Sequence, residues 1–218
     1  CPPEAFEAFV REHPDHTVVS YVNTSVGVKA LTDIVVTSGN ARKVIDSLPA
    51  DEKIIFGPDR NLGNYINSIT GRNMLLWDGA CHVHELFSAE KIAALKEEHP
   101  AAEVLVHPEC RRPLTLLADC VGSTAALLDH AMRSDAREFI VATESGILHE
   151  MRRLCPDKTF IPAPPSDSTC GCNDCAFMKL ITMEKLYNTL RYELPEVTVD
   201  PSVAERARRP IERMLALS

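Results

Sequence analysis

The sequence predicts an α/β fold of tandem homologous units, each carrying a short parallel sheet, and three observations carry that prediction. First, the chain repeats itself. Tyr21-Val22-Asn23 matches His107-Pro108-Glu109, and the same offset carries Asp33 onto Asp119, Ser38 onto Thr124, Ile54 onto Ile140 and Leu62 onto Leu148. A fixed internal period is the mark of a repeated architecture. Second, short β-rich runs alternate with helical runs, as βαβ units require. Third, runs such as Ile34-Val35-Val36 are apolar without alternation, as in strands covered on both faces.

In the first copy the strands fall at Thr17–Tyr21, at Ile34-Val35-Val36-Thr37, at Lys53-Ile54-Ile55-Phe56 and at Asn73–Trp77. Helices are expected at Thr24–Leu31, where Thr24 or Ser25 can cap, at Ala41–Ser47 and at Asn61–Ser68. Gly57-Pro58-Asp59 ends the third strand, and the fourth runs into Asp78-Gly79-Ala80-Cys81. The second copy follows with Glu103–Val106, a helix near Thr115–Leu117, Cys120-Val121, the helix Ala125–Arg133, Glu138–Ala142, a helix over Ser145–Leu154, and Thr159–Ile161. Pro162, Pro164 and Pro165 mark a loop, and Thr182–Leu194 and Ser202–Leu215 are helical. The period divides the chain into a middle repeat over 1–84, a last repeat over 85–175 and a C-terminal helical segment over 176–218.

Composition bounds the function. An apolar share of 45% with 25% charged residues is that of a soluble globular protein. No apolar run reaches the roughly 20 residues that span a bilayer, so no membrane partner is expected. The net charge of −8 is spread along the chain, which argues against nucleic acid. Residue 1 is cysteine, so the chain is expected to begin inside a longer protein. Eight cysteines without an export signal point to metal binding or buried thiols in a reducing, cytoplasmic compartment.

In parallel sheets the ligand sits beyond the carboxyl ends of the strands. The recurring polar positions are therefore expected at one functional rim, where Tyr21, Asn23, Ser38, His107, Glu109, Thr124, Cys81 and Cys175 directly follow strands or open helices. Ser38-Gly39-Asn40 and Gly122-Ser123-Thr124 each lie between strand and helix. There they either hold an anion or simply cap the helix. Proline in His107-Pro108-Glu109 is expected to hold the triplet extended, with imidazole and carboxylate pointing the same way and the glutamate orienting the histidine for proton transfer. His82 and His84 flank Cys81 and are possible metal ligands, though a loop histidine is more often not one.

Among the cysteines, Cys120 and Cys155 lie in apolar or helix-end contexts and read as inert, and Cys110 follows Glu109 at the rim. Cys170, Cys172 and Cys175 form a C-x-C-x-x-C run, so with Cys81 a structural zinc is one reading. The other takes the single cysteine that closes each copy as one ligand per domain. Three domains would then hold a 4Fe-4S cluster by three thiolates and leave one iron open as a Lewis acid.

Many of these motifs together resemble the quinolinate synthase family. They are Ser20-Tyr21-Val22-Asn23-Thr24, Thr37-Ser38-Gly39-Asn40-Ala41, Phe56-Gly57-Pro58-Asp59 with Leu62-Gly63, and Trp77-Asp78-Gly79-Ala80-Cys81-His82-Val83-His84. His107-Pro108-Glu109-Cys110, Ala118-Asp119 with Gly122-Ser123-Thr124, Thr143-Glu144-Ser145-Gly146 and Cys175-Ala176-Phe177-Met178 complete the set, which spans almost the whole chain in order. The resemblance implies three-layer αβα domains, two of a pseudo-threefold set of three, around a 4Fe-4S cluster. It implies condensation of iminoaspartate with dihydroxyacetone phosphate, then dehydration and cyclisation to quinolinate for NAD synthesis. L-aspartate oxidase or aspartate dehydrogenase would supply the iminoaspartate. Cys81 and Cys175 look like cluster ligands, with the third expected upstream of this chain. Tyr21, Val22, Asn23, Ser38, His107, Pro108, Glu109, Ser123 and Thr124 look like substrate-binding positions, and His107, Glu109 and Tyr21 like the catalytic groups. The chain departs from the family in lacking the first domain and in its single-residue Cys170–Cys172 gap, which leaves those two roles open. The alternative is a non-catalytic iron–sulfur or zinc-binding redox module.

Overall fold

The computed structural model describes residues 1–166 and 174–217. It contains two four-stranded, all-parallel sheets of identical topology. The strands of the first are β1 (Thr17–Tyr21), β2 (Ile34–Val36), β3 (Ile54–Phe56) and β4 (Leu75–Leu76), in the order β2-β1-β3-β4. The second holds β5 (Glu103–Val106), β6 (Cys120–Val121), β7 (Glu138–Ala142) and β8 (Thr159–Pro162), in the order β6-β5-β7-β8. The registers correspond as well: Val19 pairs with Ile34 as Leu105 pairs with Cys120.

Each sheet has helices on both faces because successive strand residues point to opposite sides and both sets are apolar. In the first unit Val19, Ile34, Ile54 and Phe56 pack against α3 (Ala41–Ser47) and α4 (Arg60–Thr70). On the other side Val18 and Ile55 meet Phe6 of α1 (Pro3–Arg11) and Val28 of α2 (Val26–Lys29). The second unit repeats the plan. Leu105, Phe139 and Val141 lie under α8 (Thr124–Arg133) and α9 (Ile147–Leu154). Val104, Val106, Ile140 and Ala142 lie against α6 (Ala89–Glu98) and α7 (Arg112–Leu117). These are two three-layer αβα units, as the repeat predicts.

Two helices extend the repeat beyond its expected elements. α1 and α6 each lead into the first strand of their unit and fill equivalent places, although they share no polar motif. Further along come α5 (His82–Glu85), a short 3-10 turn at Met178–Leu180, α10 (Met183–Tyr192) and α11 (Pro201–Leu217). α11 returns to the first unit and packs on α2, β2 and α3, with Leu217 joining that core. Among the described residues no helix is long and apolar enough to cross a membrane.

One recurring pair lies away from the rim. The Asp33 carboxylate accepts the Val18 N–H at 2.8 Å, and Asp119 accepts the Val104 N–H at the same distance. Both aspartates precede the second strand of their unit, so they fasten the amino ends of the strands. The expectation that recurring polar residues gather at the functional end fails for this pair. Their recurrence satisfies backbone donors that the sheet leaves unpaired.

Candidate active site

At the opposite, carboxyl ends of the strands the two units flank an open cavity of about 760 Å³. Its lining includes Tyr21, Asn23, Ser38, Cys81, His84, His107, Glu109, Thr124, Thr143, Glu144 and Cys175. The rims are equivalent in detail. The Tyr21 carbonyl accepts the Thr24 N–H at 3.1 Å, and the His107 carbonyl accepts the Cys110 N–H at 2.9 Å. His107-Pro108-Glu109 is therefore the head of a turn rather than an extended triplet, with proline at the second turn position that its fixed φ favours. The turn, not strand alternation, brings His107 and Glu109 to one cavity.

The expected His107–Glu109 partnership is reorganised. The Glu109 backbone N–H donates to His107 Nδ1 at 3.3 Å, so the neutral ring carries its proton on Nε2, which lies 3.2 Å from Ser38 Oγ. The Glu109 carboxylate instead meets His84 Nδ1 at 3.1 Å, and His84 Nε2 lies 3.2 Å from Thr143 Oγ1. The His84 and His107 rings stack at 4.4 Å between centroids. All three side chains are buried. Burial and the positive charge of His84 push His107 down to about 4, so it is neutral at physiological pH. Burial works against a charged His84 too, but its hydrogen bonds with Cys81 and Glu109 prevail and raise it to about 9. Burial would also raise Glu109. The His84 hydrogen bond and the nearby His107 and His84 outweigh it, and Glu109 stays below the usual carboxylate value. Tyr21, within hydrogen-bonding reach of Ser38 and Glu109, is pushed up to about 12 by burial and the Glu109 charge.

The two strand-to-helix loops face each other, since a Cβ built on Gly39 would lie 3.6 Å from Ser123 Oγ. Their roles differ. Ser123 caps α8 by accepting the Ala126 N–H, and Thr124 beside it lines the cavity. Ser38 turns to His107 rather than capping α3. Val22 serves through its backbone N–H, which donates to the Val36 carbonyl at 2.8 Å. Pro108 is buried within the turn. Val22, Pro108 and Ser123 do not line the cavity.

Cys81 and Cys175, one from each unit, both line this cavity and pack on one apolar cluster. Both are free thiols. Cys170 and Cys172 lie outside the described residues. Cys110 is buried, its thiol directed at the Ala142 carbonyl and its pKa raised by burial, which leaves it inert. His82 stacks edge-on against Phe177 and does not line the cavity. The Cys81 Sγ, a His84 nitrogen and a Glu109 oxygen lie within 4.8 Å of one another, close enough to share a metal ion.

Sequence spacing offered His84 as a possible metal ligand beside Cys81 but did not pair it with Glu109, and it assigned no role to two carboxylates. Asp59, beyond β3, accepts the Cys81 N–H at 2.6 Å, and burial raises its carboxyl to about 6. Glu144 stands at the matching place beyond β7. The repeat register held the signal for both carboxylates, because Gly57-Pro58-Asp59 and Thr143-Glu144-Ser145 end equivalent strands.

Paired αβα units with titratable side chains and thiols at one rim place a candidate site between the repeats of an α/β protein. The family model described as quinolinate synthetase A protein matches residues 1–216. The quinolinate synthase of a Synechococcus species is 53% identical over all 218 residues, which cover 68% of that relative. Those of Nostoc punctiforme and Chloroherpeton thalassium are 52% and 50% identical over the whole chain, covering 67% and 68% of their lengths. The chain belongs to the quinolinate synthase family, enzymes of NAD biosynthesis.

Proposed function

We propose that this chain supplies the middle and last domains of a quinolinate synthase, and that Cys81 and Cys175 are two of three thiolate ligands of a 4Fe-4S cluster. The third ligand would lie in the part of the relatives' length that these residues do not span. The donor set fits the group. Each unit contributes one free thiol to a single cavity, and thiolates are the ligands such clusters take. With three ligands bound, the remaining iron offers a Lewis-acid position for substrate oxygen. The observation that carries the reading is the convergence of both thiols and the Tyr21, His107 and Glu109 side chains on one cavity.

The substrates in this reading are iminoaspartate and dihydroxyacetone phosphate. Atom balance in joining them to form quinolinate requires phosphate and water to leave. Ser38 and Thr124, on facing loops, suit the phosphate, with the N-terminus of the ten-residue α8 adding favourable dipole charge. Glu109, ionised and fixed by His84, takes a proton from the condensing carbon skeleton. Tyr21 and neutral His107 each carry a proton at neutral pH, on the phenol oxygen and on Nε2, and donate hydrogen bonds from these atoms to the departing hydroxyl or the carbonyl oxygen. The stacked His84 covers one face of the buried His107 ring. Iminoaspartate is unstable in water, which fits delivery by a cytoplasmic aspartate oxidase or dehydrogenase.

A second reading has Cys81, His84 and Glu109 holding one ion, favoured by their 4.8 Å grouping. It would break the His84–Glu109 hydrogen bond and leave Cys175 without a role. The test compares the full-length protein with the 218-residue chain after anaerobic reconstitution with iron and sulfide. The full-length protein is expected to bind a cluster and make quinolinate, and the shorter chain to do neither. Turnover by the shorter chain would refute the three-domain site, and a single bound ion without sulfide would favour the second reading.

A further inference from the structure

The two candidate cluster cysteines are held by the same device, once in each repeat. In the first unit Asp59 divides its carboxylate. Oδ1 accepts the Asn61 and Leu62 N–H groups at 2.7 and 2.9 Å and so caps α4, and Oδ2 accepts the Cys81 N–H at 2.6 Å. In the second unit Glu144 divides its carboxylate likewise. Oε2 accepts the Gly146 N–H at 2.8 Å at the start of α9, and Oε1 accepts the Cys175 N–H at 3.4 Å. The repeat offset places Asp59 opposite Ser145, one residue beyond Glu144. Glutamate stands one position earlier and is one methylene longer, so both carboxylates reach equivalent places.

The cap on α4 explains one oxygen of Asp59, and the bond to the Gly146 N–H one oxygen of Glu144, but neither explains the other oxygen. The second oxygen turns to the backbone of the residue whose sulfur faces the cavity, and it does so in both units from different residue types. Neighbouring contacts tighten both loops. The Arg60 N–H donates to the Gly79 carbonyl at 2.8 Å, the Arg60 side chain reaches Asp78, and Ser145 bonds Asp174.

We propose that Asp59 and Glu144 are positioning residues that fix the Cys81 and Cys175 backbones so that both thiolates are presented to one cluster. The proposal rests on the reading of these cysteines as cluster ligands. Each carboxylate ties a cysteine to the rigid end of a central strand and to the backbone at the start of a helix, and groups so placed behind metal ligands govern how firmly the metal is held.

The test uses full-length protein, reconstituted anaerobically, with Asp59→Asn and Glu144→Gln. The side-chain amide in Asp59→Asn keeps one carbonyl oxygen for the α4 cap but turns an N–H group toward the Cys81 N–H. Both variants are expected to take up the cluster and then release iron to a chelator roughly 10–100-fold faster than the unaltered protein, the range typical of partners behind metal ligands. Amide hydrogen exchange at Cys81 and Cys175 in the metal-free protein should rise with it. Asp33→Asn is the control. It removes a carboxylate–backbone bond at the far end of the sheet and should lower the unfolding midpoint without changing iron release. Glu144→Gln carries the test if Asp59→Asn does not fold. Unchanged iron release and amide exchange in the variants, with a cluster that Cys81→Ser abolishes, overturn this proposal alone. A protein that takes up no iron overturns the ligand reading and this proposal with it.

Discussion

Tyr21 and His107 stand at one position in the two copies, yet burial acts on them in opposite directions. It raises the phenol, which loses water around its anion, and lowers the imidazole, which loses water around its cation. Both end neutral and proton-bearing near pH 7, beside an ionised Glu109. Glu109→Gln removes the one anionic base among them and is expected to lower kcat by roughly 10²–10⁴-fold, with cluster absorbance unchanged. Steady-state kinetics on the full-length protein checks this, and wild-type kcat would refute it. His84→Ala leaves the buried Glu109 carboxylate uncompensated, so a loss of about 3–5 kcal/mol is expected in urea unfolding. A loss below about 1 kcal/mol would mean that the Glu109 charge is not held by His84. Glu109 was legible because it follows a strand in the repeat. Its true partner was not, because His84 comes from the other unit and no spacing along the chain encodes a contact between units.

The elements with continuous apolar runs emerge where sequence pattern puts them. β1 and α3 keep their expected ends, because Thr17 and Tyr21 bound a buried run and Asn40 and Leu48 bound a compact helix. Helix ends elsewhere shift, as at α2, which shortens to Val26–Lys29 behind a Ser25 cap. α1 and α6 were invisible to a search for recurring polar residues, since their shared task is to cover one sheet face with Phe6 and Ile92. The destination of α11 on β2 was equally illegible, because an amphipathic pattern says that a face is buried but not against what. Gly57 shows where local sequence is binding. Its φ is 154° and a Cβ would lie 2.4 Å from Trp77 Cβ. Gly57→Ala should therefore push β4 away from β3 and lower the unfolding midpoint by several degrees, roughly what a 1–2 kcal/mol loss produces. An unchanged midpoint in a thermal melt would contradict that close approach.

The same βαβ plan, used twice, turns two unremarkable rims into facing walls of one cavity, and each wall brings a thiol and a turn-borne polar group, with a strand-end carboxylate bonded to the backbone of the thiol residue. Duplication explains why the residues recur, and divergence explains why one wall offers a phenol and the other an imidazole. At this scale the Asp33 and Asp119 pair is a warning, since recurrence in register preserves sheet-fastening groups as readily as site groups. The central claim is that one cysteine from each unit ligates a common cluster. Iron and acid-labile sulfide per chain, measured in anaerobically reconstituted full-length protein with Cys81→Ser and Cys175→Ser made singly, test it most directly. The account predicts that each substitution abolishes the cluster while the fold persists, and a full cluster retained in either variant would contradict it.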